Sequence, residues 1–226
     1  RYLYRTAQEV VTLLEGAEAH ITAKGGSVGR VHWLPNGVDA SVVPHLLSVD
    51  SPTFTVMYAG AHGLANALDA VIEAASIVAN RDRSGRILFR LIGDGPQKER
   101  LQSKARALDL RNVRFEQPVD KARVFDTLLQ ADAFIVNMQA NGLYRHGISL
   151  NKLYDYMVAQ RPVVIGADAP SNPVELASAG LVVEPGNAAA LADAEAQDRA
   201  AVERFLMGMV DPELREQIAP ASQPAG

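Results

Sequence analysis

The stretch "YRHGISLNKLYDYM", residues 144–157, gathers the side chains best suited to chemistry. With Ser149 as the N-cap of a helix, Leu150, Leu153, Tyr154, Met157 and Val158 fall at i, i+3, i+4, i+7 and i+8, one continuous apolar stripe. Lys152 then lies in the first turn, where the helix dipole disfavours a cation by roughly 0.3–1 kcal/mol. The backbone N–H groups of Ser149, Leu150 and Asn151 are free at such a terminus. Together with the ammonium they make a cradle for an anion, phosphate above all. Arg145 and His146 stand just ahead of it. Asp155 shares a face with Lys152 at i, i+3, so the competing reading is a plain ion pair on a solvated surface.

A second candidate is "GAHG", residues 60–63. Gly60 and Gly63 let a ligand approach the backbone closely. His62 can hydrogen-bond a phosphate or a sugar hydroxyl, or simply cap a turn. "GDGP", residues 93–96, reads as a structural glycine turn. A nicotinamide dehydrogenase fits poorly. The first loop lacks the G-x-G-x-x-G spacing, and Asp94 lies 34 residues beyond Gly60 (94 minus 60), against the ~20 expected of a ribose acid.

These groups need elements to hold them. From Thr53 onward short apolar runs alternate with helical patterns. "TFTVMYAG" (53–60), "RILFRLIG" (86–93), "NVRFEQ" (112–117), "DAFIVN" (132–137), "PVVIGA" (162–167) and "LVVEP" (181–185) read as strands. Between them, Leu64, Leu68, Val71, Ile72, Ala75 and Val78 recur at helical spacing, residues 96–110 open a helix on Pro96, and another falls near 120–131. Such alternation predicts an α/β fold with a doubly wound parallel sheet covered on both faces. Ligands of such sheets bind beyond the carboxyl ends of the strands where their order reverses. The loop after 53–58 and the long loop 137–148 should therefore face one crevice.

The ends read differently. Residues 1–50 hold a helix, a strand at 9–14, a helix, a strand at 32–39 ending in an Asn-Gly turn, and a linker over 44–52. They read as a short remnant of a second domain. Residues 51–186 form the main domain, 187–217 an Ala-rich helical segment, and 218–226 a disordered tail. The chain has 226 residues, a net charge of −4 and no cysteine. This excludes disulfides and cysteine zinc sites, gives no sign of a nucleic-acid footprint, and fits a reducing compartment. No apolar run reaches the ~18 residues that span a bilayer. Trp33 is expected in packing; Tyr2 and Tyr4 are expected against a further domain.

The ordered set "LPNGVD", "YAGAHGLANALDAVIEAA", "LIGDGPQKERL", "VRFEQPV" and "SLNKLYDYMVAQRPVVIGA" resembles the family-four retaining glycosyltransferases of the GT-B fold. Within them it is similar to the bacterial branch that builds surface polysaccharides. The resemblance implies a Rossmann-like donor domain that binds a nucleotide sugar, by default a uridine diphosphate sugar, with no cofactor and no essential metal. It implies that Asp155 holds the ribose hydroxyls. It implies that Lys152 and the backbone at Ser149, Leu150 and Asn151 cradle the diphosphate, with Gly60, His62 and Gly63 packed against it. The main chain around Phe115–Val119 would read the base. Arg145 and His146 would face the transferred sugar, Arg145 joining Lys152 as a catalytic cation. The acceptor, a glycan or lipid-linked acceptor, would sit mainly on an N-terminal domain outside this sequence. The work would be cytoplasmic, at the inner face of a membrane with peripheral association.

Two departures stand out. Many members carry an Arg and a Lys after the first strand, and residues 51–80 hold neither; the usual pair of acids eight apart is reduced to Asp155, since residue 147 is Gly147. Two alternatives remain open at this point: a sugar-nucleotide epimerase of the same architecture, and an inactive module that only binds nucleotide.

Overall fold

A computed structural model describes residues 1–38, 51–81, 84–140, 142–170 and 172–196. The linker expected at 44–52 falls largely outside the described residues, as do most of the helical segment after Ala196 and the tail at 218–226.

The main domain is a six-stranded, wholly parallel sheet. Its strands are β3 (Phe54–Ala59), β4 (Ile87–Ile92), β5 (Val113–Glu116), β6 (Ala133–Asn137), β7 (Val163–Gly166) and β8 (Gly180–Val183). Their spatial order is β5-β4-β3-β6-β7-β8, so the direction of winding reverses between β3 and β6. This is the doubly wound, Rossmann-like arrangement. Alternation along each strand feeds two cores. Val56, Tyr58, Phe89, Leu91 and Ile135 pack under α3 (Asp69–Arg81), α4 (Lys98–Ala107) and α8 (Ala188–Ala196). Met57, Phe134, Val136, Val163 and Ile165 pack under α5 (Val124–Leu128), α6 (Asn151–Val158) and α7 (Pro173–Leu176). Burial on both faces is why these strands read as unbroken apolar runs.

The N-terminal segment is α1 (Tyr2–Thr6), β1 (Val10–Thr12), α2 (Glu18–Ala23) and β2 (Val31–Trp33), with β1 and β2 pairing in parallel. Both strands are shorter than the runs at 9–14 and 32–39 suggested. Tyr2, Leu3, Val11, Leu13, Trp33 and Leu34 all remain exposed, Trp33 at 49%. Trp33 shares a small crevice with Ile148 and Tyr154, where this segment meets the main domain.

Several boundaries shift from the sequence expectation. The helix placed at 96–110 begins at Lys98 with Gln97 as its N-cap, because Gly95 and Pro96 continue the loop after β4. The helix expected near 120–131 is a 3-10 turn at Lys121–Arg123 followed by the five-residue α5. The cap of α6 is Leu150 rather than Ser149, since the Ser149 side chain is engaged elsewhere.

Candidate active site

The crevice forms where β3 and β6 finish. After Ala59 the chain turns at Gly60, runs through His62 and Gly63, and makes a 3-10 turn at Leu64–Asn66. Buried Asn137, the last residue of β6, ties this loop down: its Nδ2 donates to Ala67 O at 3.0 Å, and its Oδ1 accepts from Gly186 N at 2.9 Å. The neighbouring "GDGP" loop packs backbone to backbone against it. Gly60 N donates to Ile92 O at 2.9 Å, His62 N to Asp94 O at 2.8 Å, and Gln97 N to His62 O at 3.0 Å. A Cβ on Gly93 would lie 2.0 Å from Gly60 O, and one on Gly95 2.7 Å from His62 O. No side chain fits at either place, which is the structural role expected of those glycines.

Lys152 reaches across from α6 into this loop. Its Nζ donates to Tyr58 Oη at 2.8 Å and to Asn66 Oδ1 at 3.1 Å, and stands 4.3 Å from the Tyr58 ring centroid. Both partners are anchored in turn, because Tyr58 Oη and Asn66 Nδ2 each donate to Ala61 O, at 2.7 and 2.9 Å. A Cβ at Gly60 would come within 2.8 Å of the ammonium, so glycine there leaves room for the lysine. Among the described residues no carboxylate pairs with Lys152. Burial lowers its pKa from 10.5 to about 8. The surface ion pair with Asp155 therefore does not form.

Asp155 instead lines a cleft of about 440 Å³ with Gly60, Ala61, Gly93, Asp94, Pro118 and Val119. Burial raises its carboxyl above the ordinary range. It has no side-chain hydrogen bond or ion pair among the described residues. Gly60 is thus the shared neighbour: Asp155 lines the cleft with it, and the Lys152 ammonium lies beside it.

The other expected residues separate into two groups. His62 is fully buried between Tyr58 and Phe115, each ring centroid 6.0 Å away, and neither ring nitrogen has a partner among the described residues. Burial, with the Lys98 ammonium adding to it, pushes its pKa below the usual value. His62 and Phe115 lie behind the loop rather than on the cleft wall; the wall nearby is Pro118 and Val119, within the segment expected to read the base. Arg145 and His146 face the N-terminal segment. Arg145 Nε donates to His146 Nε2 at 3.1 Å, and His146 Nδ1 lies 3.2 Å from Gly16 O.

Ser149 is held by Asn36 of the "LPNG" turn, whose Nδ2 donates to Ser149 O and Oγ, each at 3.0 Å. That is why Ser149 does not cap α6. Leu150 takes the cap position with no side-chain bond to offer, which leaves the first N–H groups of α6 without a side-chain acceptor. Lys152 sits one residue closer to the helix start than the sequence suggested.

Sequence reasoning missed Tyr58, Asn66, Asn36 and Tyr156. The apolar stripe read from the sequence does not include Tyr156, yet it is fully buried and stacks on Phe134 with ring centroids 3.9 Å apart. Its hydroxyl donates to Ala59 O at 2.9 Å and accepts from Ala59 N at 2.8 Å, clamping α6 to the end of β3. A phenol at the carboxyl end of a strand and a doubled tyrosine in one helix were the available signals.

The family described as Glycosyl transferases group 1 matches residues 53–197. The chain belongs to this family. Its fold is shared with solved glycosyltransferase structures. A mutant of S. aureus TarM in complex with fondaparinux, alpha-GlcNAc-glycerol and UDP superposes with a TM-score of 0.73 at 18% identity, over 96% of this chain and 43% of that one. WaaG, a glycosyltransferase involved in lipopolysaccharide biosynthesis, gives 0.70 at 16% identity, over 98% and 62%. Anabaena HepE in complex with UDP and glucose gives 0.66 at 16%, over 96% and 63%. The chain thus spans less than two thirds of each. No curated protein sequence matches it. Among the described residues of this group 1 glycosyltransferase chain, no helix is long and apolar enough to cross a membrane, and no three or more His, Asp or Glu side chains gather as a metal site would require.

Proposed function

We propose that this chain is the donor-binding part of a family-four, retaining, metal-independent glycosyltransferase. It takes a nucleotide sugar, a uridine diphosphate sugar by default, and serves transfer to a glycan or lipid-linked acceptor in surface-polysaccharide synthesis. That work is assigned to the cytoplasmic face of a membrane. The carrying observation is Lys152: a partly buried ammonium with no carboxylate partner among the described residues, held by Tyr58 and Asn66 at a glycine loop beside an open helix start. A diphosphate supplies the missing charge. The placement also answers the lack of Arg and Lys in residues 51–80, because α6 delivers a cation to the end of β3. TarM and HepE, which share the fold, are described with UDP bound.

In the reaction the bond from the anomeric carbon to the diphosphate oxygen breaks, and its electron pair stays on the phosphate. The acceptor hydroxyl bonds the anomeric carbon, and its proton passes to the departing diphosphate oxygen. Lys152 and the first N–H groups of α6 stabilise the charge that grows on the leaving oxygen; one such donor is worth ~3 kcal/mol by analogy with oxyanion holes. Asp155, without a protein partner, takes two vicinal ribose hydroxyls. Pro118 and Val119 flank the base. Gly60 and Gly63 let the phosphates approach the loop, with buried His62 filling the space behind it. Arg145 and His146 stand on the side where the transferred sugar meets the acceptor, and Arg145 adds its positive charge there.

Calorimetric titration with uridine, guanosine and adenosine diphosphates and with their sugars tests this reading. Lys152→Ala and Asp155→Ala should each weaken binding about 10- to 100-fold, the range for a hydrogen bond to a charged group, with circular dichroism unchanged. Asp155→Ala should also lose the preference for ribose over deoxyribose. Unchanged affinity in both variants would remove the assignment. Recovery of an epimerised donor would favour the epimerase reading instead.

A further inference from the structure

The loop into α6 and the N-terminal segment, distant in sequence, meet at a cluster of basic side chains. The rings of His20 and His146 lie 5.0 Å apart. Gly16 packs directly on His146, where an added Cβ would be 3.1 Å from its carbonyl oxygen. The His146 bonds assign its tautomer: Nδ1–H donates to Gly16 O, and Nε2 accepts from Arg145 Nε. His146 is therefore a neutral orienting group. It uses the inner N–H of the Arg145 fork and leaves both terminal NH2 groups without a hydrogen-bond partner among the described residues. Arg145 is exposed. Lys24 and Arg145 act on His20 as well: its pKa is lowered by burial first, then by His146, Lys24 and Arg145, with no carboxylate acting in the opposite direction. Among the described residues none of these four side chains forms an ion pair with a carboxylate. Two permanent cations, Arg145 and Lys24, thus stand beside two imidazoles without a carboxylate partner among the described residues, on a chain of net charge −4.

A guanidinium with its two terminal NH2 groups free and its plane set by a neighbour is built for bidentate binding of a carboxylate or phosphate. We propose that Arg145, oriented by His146 and flanked by His20 and Lys24, forms a subsite for an oxyanion carried by the acceptor, separate from the diphosphate cradle at Lys152. The oxyanion subsite stands on the cluster itself; its assignment to the acceptor rests on the donor reading above. The acceptor class that follows is a phosphorylated or acidic one rather than a neutral sugar. The subsite bridges two parts of the chain, so filling it also fixes the N-terminal segment against the donor side.

The test is proton NMR of the histidine Cε1–H resonances in the full chain, with UDP saturating and inorganic phosphate as the probe against chloride at matched ionic strength. His20→Gln assigns the His20 signal. Phosphate should move the His20 and His146 resonances saturably. Lys24→Gln should weaken that response about tenfold, as loss of one charge-assisted contact would, and Lys24→Arg should restore it. UDP affinity should be the same in both Lys24 variants. The subsite is overturned if phosphate moves neither imidazole beyond the chloride control, if Lys24→Gln leaves the response unaltered, or if saturating UDP abolishes it. The last result would place phosphate in the donor cradle. Should UDP not bind at all, the donor reading falls, while the phosphate response without UDP still decides the subsite.

Discussion

At the starting ends of β3, β4 and β5 lies a cavity of about 670 Å³, larger than the 440 Å³ cleft where the strands finish. The larger cavity is lined by Arg90 and by the exposed Arg111 and Arg114; its one partly buried cation, Arg90, is already committed. Arg90 Nε and Nη2 donate to the two Glu116 carboxylate oxygens at 2.6 and 2.8 Å, and Nη1 donates to Gln130 at 2.9 Å. The Glu116 carboxyl is held below its ordinary range by Arg90. At the other end, among the described residues, Lys152 has only a phenol and an amide as side-chain partners, and Asp155 has none. Room alone does not mark a site. Charge that the protein leaves uncompensated, at the end of a parallel sheet where the winding reverses, marks one.

Substitutions at the two ends should therefore separate stability from binding. The largest effect is expected at the seam between the glycine loops. Gly93→Ala forces a Cβ onto Gly60 O at a positive φ of 138°. It should lower unfolding free energy by roughly 3 kcal/mol or more, seen as a drop in urea midpoint. Gly60→Ala meets the flexible end of Lys152 and the Tyr58 hydroxyl rather than backbone, so it should cost clearly less stability than Gly93→Ala while weakening UDP binding. An equal loss of stability in both would break the distinction.

Arg90→Ala comes next. It strands Glu116 in a partly buried place and should destabilise by about 1–3 kcal/mol with UDP affinity unaltered. Lys152→Ala should show the reverse pattern. Lost UDP binding in Arg90→Ala would move the site to the wrong end of the sheet.

The pH dependence sharpens the same contrast. The Lys152 pKa sits near 8 when folded, against 10.5 as its ordinary value. Between those values the unfolded chain binds the extra proton, so the Lys152 contribution to stability rises with pH over that window. Binding runs the other way: UDP needs the ammonium, so affinity should fall as pH rises past about 8. Lys152→Met should flatten both trends. Affinity independent of pH in the parent chain would argue that Lys152 does not touch the phosphates.

The smallest effect is expected for Asn36→Ala, which removes the bonds to Ser149. A loss of about 1 kcal/mol is expected, measured by thermal melting, with a modest loss of UDP affinity through the loosened entry to α6.

Much of this was legible in the residues. The unbroken apolar runs from Phe54 to Val183 specify strands buried on both faces, and their alternation with helical patterns specifies a doubly wound sheet. Lys152 was legible as a cation in the first turn of α6, with the long loop before it. The side chains that do the aiming were not legible. Tyr58 reads as one more residue of an apolar strand, and Tyr156 falls outside the stripe read for α6. Their hydroxyls matter only because β3 and α6 meet, 97 residues apart for the Tyr156–Ala59 bonds. Ser149 looked like a cap because capping is a local rule; Asn36, 113 residues away, takes its hydroxyl instead. His62 looked like a ligand group from its neighbours in the loop, whereas packing against Tyr58 and Phe115 buries it completely.

Residue spacing alone specified the periodicities, and with them the sheet and its winding. Local spacing and side-chain polarity suffice for that, because a strand buried on two faces has few ways to be written. The tertiary structure decided which charges are spent and which are left over. Arg90 finds its carboxylate, Lys152 does not, and Arg145 is turned toward the N-terminal segment. Those outcomes depend on contacts between residues far apart in the chain, where Coulomb energy and desolvation act through space and no local pattern records them.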